Sequence, residues 1–413
     1  MFKAYKYRLY PTNSQKELIA KHIGSSRFVY NLALETKNTA YLGSKHSLSQ
    51  FDLIKQLPDL KKECEWLKEV NSQSLQQSIQ NMDTAFKGFF KGGGFPRFKS
   101  KHRGRQSFPI PQNVELDLEK SELVIPKFKK KGIKVVIHRE IKGDIKSATI
   151  SVTPTGKYFA SLLVDTQREN PAKSPINENE TIGIDLGIKH FAITSDGEVF
   201  DNPKYLKEAI SRLKYTQSKY SKSKGKRTKK RLALLHERVT NKRKDFLHKT
   251  SIRLIRENQT IALEDLNVKG MMARCKPKMD ENGKYLSNGQ TAKSGLNRSI
   301  QDVGWSTFVS MLEYKAEWHG KNTLRIGRFA PSSKTCSSCG RINKGLTLND
   351  REWTCVGCSA VLDRDINAAV NIKSFALKKQ FCGEHTVKNQ DELPTLVGVL
   401  TPEARPIASG VGG

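Results

Sequence analysis

Residues 181–187 read TIGIDLG, a short apolar run that sets an acid, Asp185, between Ile184 and Leu186. A carboxylate inside an otherwise buried strand is costly unless it is paired or binds a cation. The run therefore reads both as the opening strand of an α/β domain and as a candidate site. Downstream, HFAITSDGEVF (190–200) reads as a hairpin turning at Asp196-Gly197. Residues 204–258 form a long, highly charged helical stretch with turn chemistry only around Lys224-Gly225-Lys226. A second apolar strand, TIALEDL (260–266), carries Glu264 near its end, and TLRIGRF (323–329) is another. Between them, residues 270–296 show no period and read as a mobile loop, and one helix is expected over roughly 299–319. Asp365, in DRDINAAVNI (363–372), directly precedes a last helix near 366–378.

Carboxylates from two strands and a helix start can converge on one edge of a sheet. Asp185, Glu264 and Asp365 placed so would hold two Mg²⁺ ions, with Mn²⁺ as the alternative, because hard oxygen ligands select these cations. Two such ions support in-line hydrolysis of a phosphodiester. Spacing alone does not exclude the neighbouring Asp265 and Asp363, which can equally be a strand-end acid and a turn residue. Asn367 is a candidate helix cap.

The strongest local pattern is Cys336-x-x-Cys339 and Cys355-x-x-Cys358, with fifteen residues between the pairs. Two such knuckles place four thiolates around one Zn²⁺. With every position filled by sulfur there is no room for a reactive water, so this zinc is expected to be structural. Cys64, Cys275 and Cys382 stand alone. Paired CxxC units point to metal binding in a reducing compartment, hence the cytoplasm, and no run is long and apolar enough for a membrane span.

The other half begins with FKAYKYRLY (2–10), alternating charged and apolar as a strand does. From Ser14 to about Phe90 the spacing is helical, in three or four pieces. Gly92-Gly93-Gly94 ends it, and Phe95, Phe98 and Phe108 then interleave with Arg97, Lys99, Lys101, Arg103 and Arg105. That stretch suits stacking on or clamping RNA, and its phenylalanines suit a barrel core equally well. Short strands to about Thr166 complete a small β-barrel interrupted by helices. QRENPAKSPINENE (167–180) reads as a linker.

Seventy-two Lys and Arg against 41 Asp and Glu leave the 413-residue chain at +31, spread over its whole length. Self-repulsion on that scale calls for a polyanion, and nucleic acid is the natural one.

With these motifs in hand, the sequence resembles the TnpB family, transposon-encoded RNA-guided nucleases similar to type V CRISPR effectors. The resemblance runs from RLYPTNSQKELI and SSRFVYN through GFPRFK to GIDLGIKHFAITSDG, EDLNVKGM, DVGWSTFVSMLEYKAEWHG, PSSKTCSSCG and DRDINAAVNI. It implies an RNase H-like, RuvC-type nuclease with a zinc-ribbon insertion, preceded by a wedge β-barrel with an inserted helical recognition domain. The corresponding bounds are barrel at 1–12 and 92–170, recognition domain at 13–91, nuclease at 181–331 and 361–380, ribbon at 332–360, and a weakly ordered tail at 381–413. It implies catalytic roles for Asp185, Glu264 and Asp365 rather than Asp265 or Asp363, and target nucleic-acid binding by the ribbon. It also implies a guide RNA from the transposon region, a double-stranded DNA target beside a short flanking motif, and a monomeric ribonucleoprotein in a prokaryotic cytoplasm. SQSLQQSIQNMDTAF falls where relatives read that motif. Gln73, Gln76, Gln77 and Gln80 can pair with an adenine edge there, or simply form a helix's polar face. Two departures stand out, a long 270–296 loop and Ser359 where many relatives carry Gly. A DNA-binding regulator without chemistry would lack the acids, and a transposase would join strands.

Overall fold

The computed structural model describes residues 1–382 except 103, 105, 129, 130 and 348. Most of the expected tail, from 383 onward, lies outside the described residues. Two compact units emerge: one of residues 1–169 and 216–237, the other of residues 170–215 and from 238 on.

In the first unit, β1 (Phe2–Tyr10) leads into α1 (Asn13–Ser44), α2 (Gln50–Lys55), α3 (Leu57–Glu63), a 3₁₀ turn (Glu65–Glu69) and α4 (Ser72–Phe90). Thr12 starts α1 through a capping box with Gln15, in which each side chain accepts the other's backbone N–H at the helix start. Strands β2 (Gln106–Ile110), β3 (Glu115–Asp117), β4 (Glu122–Val124), β5 (Ile133–Val136), β6 (Asp144–Val152) and β7 (Tyr158–Asp165) follow. They join β1 in an antiparallel sheet ordered β2-β6-β7-β1-β5-β4-β3. Tyr7 and Leu9 of β1, Phe108 of β2, Leu123 of β4 and Ile150 of β6 share one core, so the sheet curls around its own apolar face. Ile19 and Ile23 of α1 plug that core. His22, between them, is buried. Its Nδ1 donates to the Leu18 carbonyl at 2.8 Å and its Nε2 accepts the Asn71 N–H at 3.1 Å, in the tautomer those partners require. Burial pushes the His22 pKa down. Asn71 in turn caps α4, so one neutral imidazole ties α1 to α4.

Phe108 is core, whereas Phe95 and Phe98 are about half exposed, at 51% and 54%. The alternative of a barrel core is thereby settled differently for different rings of one stretch.

The second unit opens with β8 (Thr181–Leu186), β9 (His190–Thr194) and β10 (Val199–Asp201), an antiparallel meander whose hairpin turns at Gly197 with φ +83°. The helices α5 (Tyr205–Ser223) and α6 (Lys226–Glu257) meet at Lys224, and their ends nearest that turn belong to the first unit. Next come β11 (Thr260–Glu264), α7 (Val268–Met271), the small hairpin β12 (Lys278–Met279) and β13 (Tyr285–Leu286), α8 (Gln290–Val303), α9 (Trp305–Trp318) and β14 (Asn322–Ile326). The expected loop at 270–296 therefore holds a hairpin and the start of a helix. The single helix expected over 299–319 is two. Gly304 breaks it at φ +75°, a conformation that side chains with a Cβ rarely adopt. A short pair, β15 (Glu352–Thr354) and β16 (Val361–Asp363), precedes α10 (Arg364–Cys382).

The sheet order is β10-β9-β8-β11-β14, with β11 parallel to both β8 and β14. Alternation divides its two faces. Ile182, Ile184, Ile261 and Leu263 pack with Leu254 of α6, Val303 of α8 and Phe308 and Leu312 of α9. Ala262 and Ile326 pack on the opposite face with Ile372 and Ala376 of α10. Gly183 lies on that second face, where a Cβ would meet the Ala369 carbonyl at 2.1 Å. A glycine in this strand is what lets α10 approach so closely.

Candidate metal sites and nucleic-acid interface

The alternation that buries Ile184 and Leu263 sends Asp185 and Glu264 to the face that carries α10. Ile184 stands opposite Leu263 in the parallel register, so the two acids lie side by side at the carboxyl ends of adjacent strands. Asp365 sits in the first turn of α10. The three are close enough that Glu264 and Asp365 both act on Asp185. Burial first, then those two charges, push Asp185 up to about 7, against lowering by Arg364 and the Leu186 N–H. Part of the Asp185 surface stays accessible, yet protein surrounds the carboxyl on most sides, and that surrounding dominates its pKa.

Two of the acids have side-chain partners. Ser332 donates its hydroxyl to Glu264 Oε1. Arg351 reaches Asp365 at 3.1 Å from the cysteine-bearing segment. Three carboxylates converging on part-exposed ground, one of them raised by its neighbours, suit a divalent cation with oxygen ligands.

The two neighbouring acids have other employment. Asp363 Oδ1 accepts the N–H groups of Asp365 and Ile366, each at 2.9 Å, and so caps α10. Asp265 pairs with Arg325 at 3.4 Å and Arg328 at 3.2 Å. Asn367 is not the helix cap. It is buried, accepts the Ser337 N–H at 2.9 Å and donates to the Thr335 carbonyl at 2.8 Å. One turn on, Asn371 donates to the Ser332 and Thr335 carbonyls. These two asparagines fasten α10 to the segment that holds both Ser332 and the first cysteine knuckle. Sequence reasoning missed Ser332, Arg351 and Asn371. Only the i, i+4 spacing of two asparagines on an apolar helix hinted at them.

The sulfur atoms of Cys336, Cys339, Cys355 and Cys358 all lie within 4.8 Å of one another. Cys336 and Cys358 are 3.7 Å apart, and Cys339 and Cys355 are 3.5 Å apart. A tetrahedron of thiolates at about 2.3 Å from zinc has sulfur–sulfur edges near ~3.8 Å, so the set fits that ion. As bare thiols they conflict. The Gly357 N–H draws Cys355 down to about 6. Cys339, which the Arg341 N–H lowers, is nonetheless pushed up to about 12 by desolvation and the neighbouring sulfurs. A dication shared by all four relieves the conflict. Leu346 and Trp353 pack with Cys336 and Cys355 as a small core of their own.

Gln73, Gln76, Gln77 and Gln80 line one face of α4, opposite the buried Leu75, Ile79 and Met82. Gln73 donates to Gln112 at 3.0 Å and Gln77 to Asn81 at 3.4 Å, while Gln76 is exposed. Arg97 is exposed. Lys99 is held otherwise: its ammonium lies 3.7 Å over the Tyr30 ring, and Asn31 brackets its backbone. Burial keeps the Lys99 pKa below its ordinary value, so this cation is already engaged.

A protein of Streptomyces pristinaespiralis named "Putative RNA-guided DNA endonuclease" is 37% identical over 393 residues, covering 92% of this chain and 91% of its own. The chain belongs to the TnpB family. InsQ of Escherichia coli (strain K12), of the same description, is 30% identical over 390 residues, with 92% and 94% covered. Three family models match: "Probable transposase" over 161–274, "Cas12f1-like, TNB domain" over 305–372 and "Helix-turn-helix domain" over 1–45. The last spans β1 and the uninterrupted α1. Among solved structures, Cas12f1 in complex with sgRNA and target DNA matches with a TM-score of 0.54 at 13% identity, covering 90% of this chain and 98% of that one. That likeness is one of fold. For this TnpB-family chain, no helix among the described residues is long and apolar enough to cross a membrane.

Proposed function

We propose that this TnpB-family protein is an RNA-guided DNA endonuclease whose catalytic acids are Asp185, Glu264 and Asp365. The observation that carries the reading is their convergence at the carboxyl ends of β8 and β11, where burial and the charges of Glu264 and Asp365 raise Asp185 to about 7. The sheet order β10-β9-β8-β11-β14, a three-strand meander continued by parallel strands, supports an RNase H-like, RuvC-type unit. The curled sheet of the first unit supports a wedge barrel at 1–12 and 92–170 around a helical recognition domain at 13–91. On this reading the four cysteines hold one structural Zn²⁺ in a ribbon within 332–360, between nuclease segments 181–331 and 361–380.

Two Mg²⁺ ions, or Mn²⁺, would supply an activated water and neutralise charge on the leaving oxygen. The chain's own residues present the ligands. Ser332 orients the Glu264 carboxylate, and Asp363 fixes the first turn from which Asp365 projects. Arg351 holds Asp365 in place and adds positive charge beside the phosphate. Base pairing to the guide supplies sequence recognition, and the protein's net charge of +31 supplies the grip on RNA and DNA backbones. Gln76 and Arg97, both exposed, are the first candidates for contacts to the target's flank, with Gln73, Gln77 and Lys99 already holding partners and Gln80 half-buried.

The test is cleavage of a plasmid bearing a chosen target beside a randomised flank. The protein is supplied with RNA from the region of its gene, redirected to that target. Mg²⁺-dependent cutting confined to a subset of flanks is expected, and EDTA should abolish it. Guided binding without cutting would contradict the enzyme. Strand-joined products would instead favour transposition, the activity in the description of the matched model.

A further inference from the structure

Between β14 and the first cysteine knuckle the chain makes a tight turn, Gly327-Arg328-Phe329-Ala330, closed by the Ala330 N–H donating to the Gly327 carbonyl at 3.1 Å. Its tip carries Phe329, which at 92% exposure is the most exposed large apolar side chain among the described residues. A single apolar side chain on a surface is ordinary. This one differs in how the chain around it is held. On one side Ile326 pairs with Glu264 in the parallel register, and Arg328 pairs with Asp265 at 3.2 Å. On the other, Ala330 packs against the core that holds Ile326, Ile372 and Ala376, and the Ser332 hydroxyl donates to Glu264. The small residue of the turn faces inward and the large apolar one outward, the reverse of what burial alone would select. The turn is a fastened mount that holds a bare ring in water.

That mount stands at the carboxyl end of β14, on the sheet edge where Asp185 and Glu264 end β8 and β11. Ligands of open α/β sheets bind outside that edge. Phe329 is the third residue from Ile326 and the third from Ser332, at most about 10 Å of chain either way. A stacked strand advances about 3.4 Å per nucleotide. One held at the acids and running toward β14 therefore meets the ring within about four nucleotides. Exposed Arg325, Arg328 and Lys334 flank the ring in sequence, the two arginines sharing Asp265 and Glu313 as partners. A flat apolar face among cations suits a nucleic-acid strand, because bases of any identity stack on an aromatic ring. A base already stacked on both sides within a duplex has no face to offer, so the ring favours an unpaired strand.

We propose that Phe329 stacks on an unpaired base of the DNA strand being cut, within about four nucleotides of the scissile phosphate, and so sets the register of that strand against the acids. The inference rests on the functional reading above, because it places the scissile bond at Asp185, Glu264 and Asp365.

The experiment uses the full chain with its guide RNA and compares native protein with Phe329→Ala, Phe329→Leu and Phe329→Trp. Targets are intact or carry one abasic nucleotide, moved a position at a time across the cut. Because the ring touches so little protein, melting temperature and guided binding should match the native chain in all three variants. A purely structural role predicts unchanged cutting as well. Phe329→Ala and Phe329→Leu should instead cut intact DNA about tenfold more slowly, and Phe329→Trp should recover most of that loss. In the native chain one abasic position near the cut should cost a similar factor, and Phe329→Ala should be indifferent to it. Native-rate cutting by Phe329→Ala would overturn the proposal. So would a Phe329→Leu as active as Phe329→Trp, which would reduce the ring to apolar bulk. A slowed Phe329→Ala that stays as sensitive as the native chain to the abasic series would overturn it too. A guided complex that sediments as two copies when native and as one in Phe329→Ala would assign the ring to an interface between copies instead. A native chain that cuts no guided target in Mg²⁺ would sink the functional reading and this inference with it, whereas the other adverse outcomes sink the inference alone.

Discussion

The cysteine set and the carboxylate set are both clusters of like ligands, and the chain assembles them in opposite ways. The four cysteines fall within residues 336–358, on two local knuckles with a small core of their own around Leu346 and Trp353. The three acids come from β8, β11 and α10, and only the completed sheet brings them together. The first set uses all its ligands on one another and leaves no opening. The second is part-exposed and held from behind by Ser332 and Asp363. On the functional reading proposed above, local, saturated ligation marks the structural site and distant, unsaturated ligation the reactive one.

Breaking the cysteine set should have the largest energetic effect. Cys355→Ser is expected to abolish stoichiometric zinc and unfold the ribbon, since zinc binding of this kind contributes about 10 kcal/mol or more. Metal analysis and limited proteolysis within 332–360 would check it, and a variant with native zinc content would contradict the assignment. Next comes the acid set. Asp185→Ala should lower guided cutting by at least about a thousandfold, ~4 kcal/mol of transition-state stabilisation, with the ribbon and guided binding intact. A binding assay run beside the cleavage assay separates the two.

Acidity sharpens the contrast in a subtler way. Asp185 is raised to about 7. Without divalent cations its contribution to stability is therefore full below the ordinary carboxylate pKa and is lost as pH rises through about 7. Asp185→Asn should then gain on the native chain in melting temperature as metal-free samples are taken from pH 4 to pH 8, and added Mg²⁺ should reverse the gain. His22, lowered by burial, runs the other way: its contribution is present above the ordinary histidine pKa and is lost on acidification. His22→Gln should flatten the acid limb of unfolding in the first unit.

The smallest expected effect tests the ribbon's turn. Ser359 adopts φ 56°, and its N–H donates to the Cys355 carbonyl at 2.8 Å. Ser359→Gly should relieve left-handed strain and stabilise by about 0.5 kcal/mol after the entropy that glycine loses on folding. A lower melting temperature for that variant would contradict it.

Elements with strong local signals were legible in the sequence. The hairpin at Asp196-Gly197, the turn at Lys224-Gly225 and the strands that carry Asp185 and Glu264 lie where residue patterns put them. The helix pair at 290–318 was not, because a lone Gly304 inside an apolar period reads as tolerated until its positive φ is seen. Nor were the separate fates of Phe95 and Phe108, since alternation with basic residues looks the same whether a ring faces the core or the solvent. At the acids, spacing alone offered Glu264 with Asp265, and Asp363 with Asp365, as equals, and only the family resemblance preferred Glu264 and Asp365. The structure separates their partners: Asp265 is held by two arginines and Asp363 by two backbone amides. These partners come from a neighbouring strand and from a helix start, neither of which spacing reveals.

That separation gives the most direct test of the account. Glu264→Gln and Asp265→Asn alter adjacent residues by the same isosteric change, and guided plasmid cleavage in Mg²⁺ compares them in one assay. The account predicts that Glu264→Gln cuts about a thousandfold more slowly while Asp265→Asn cuts at close to the native rate with a slightly lower melting temperature. Native cutting by Glu264→Gln, with cutting lost in Asp265→Asn, would contradict it.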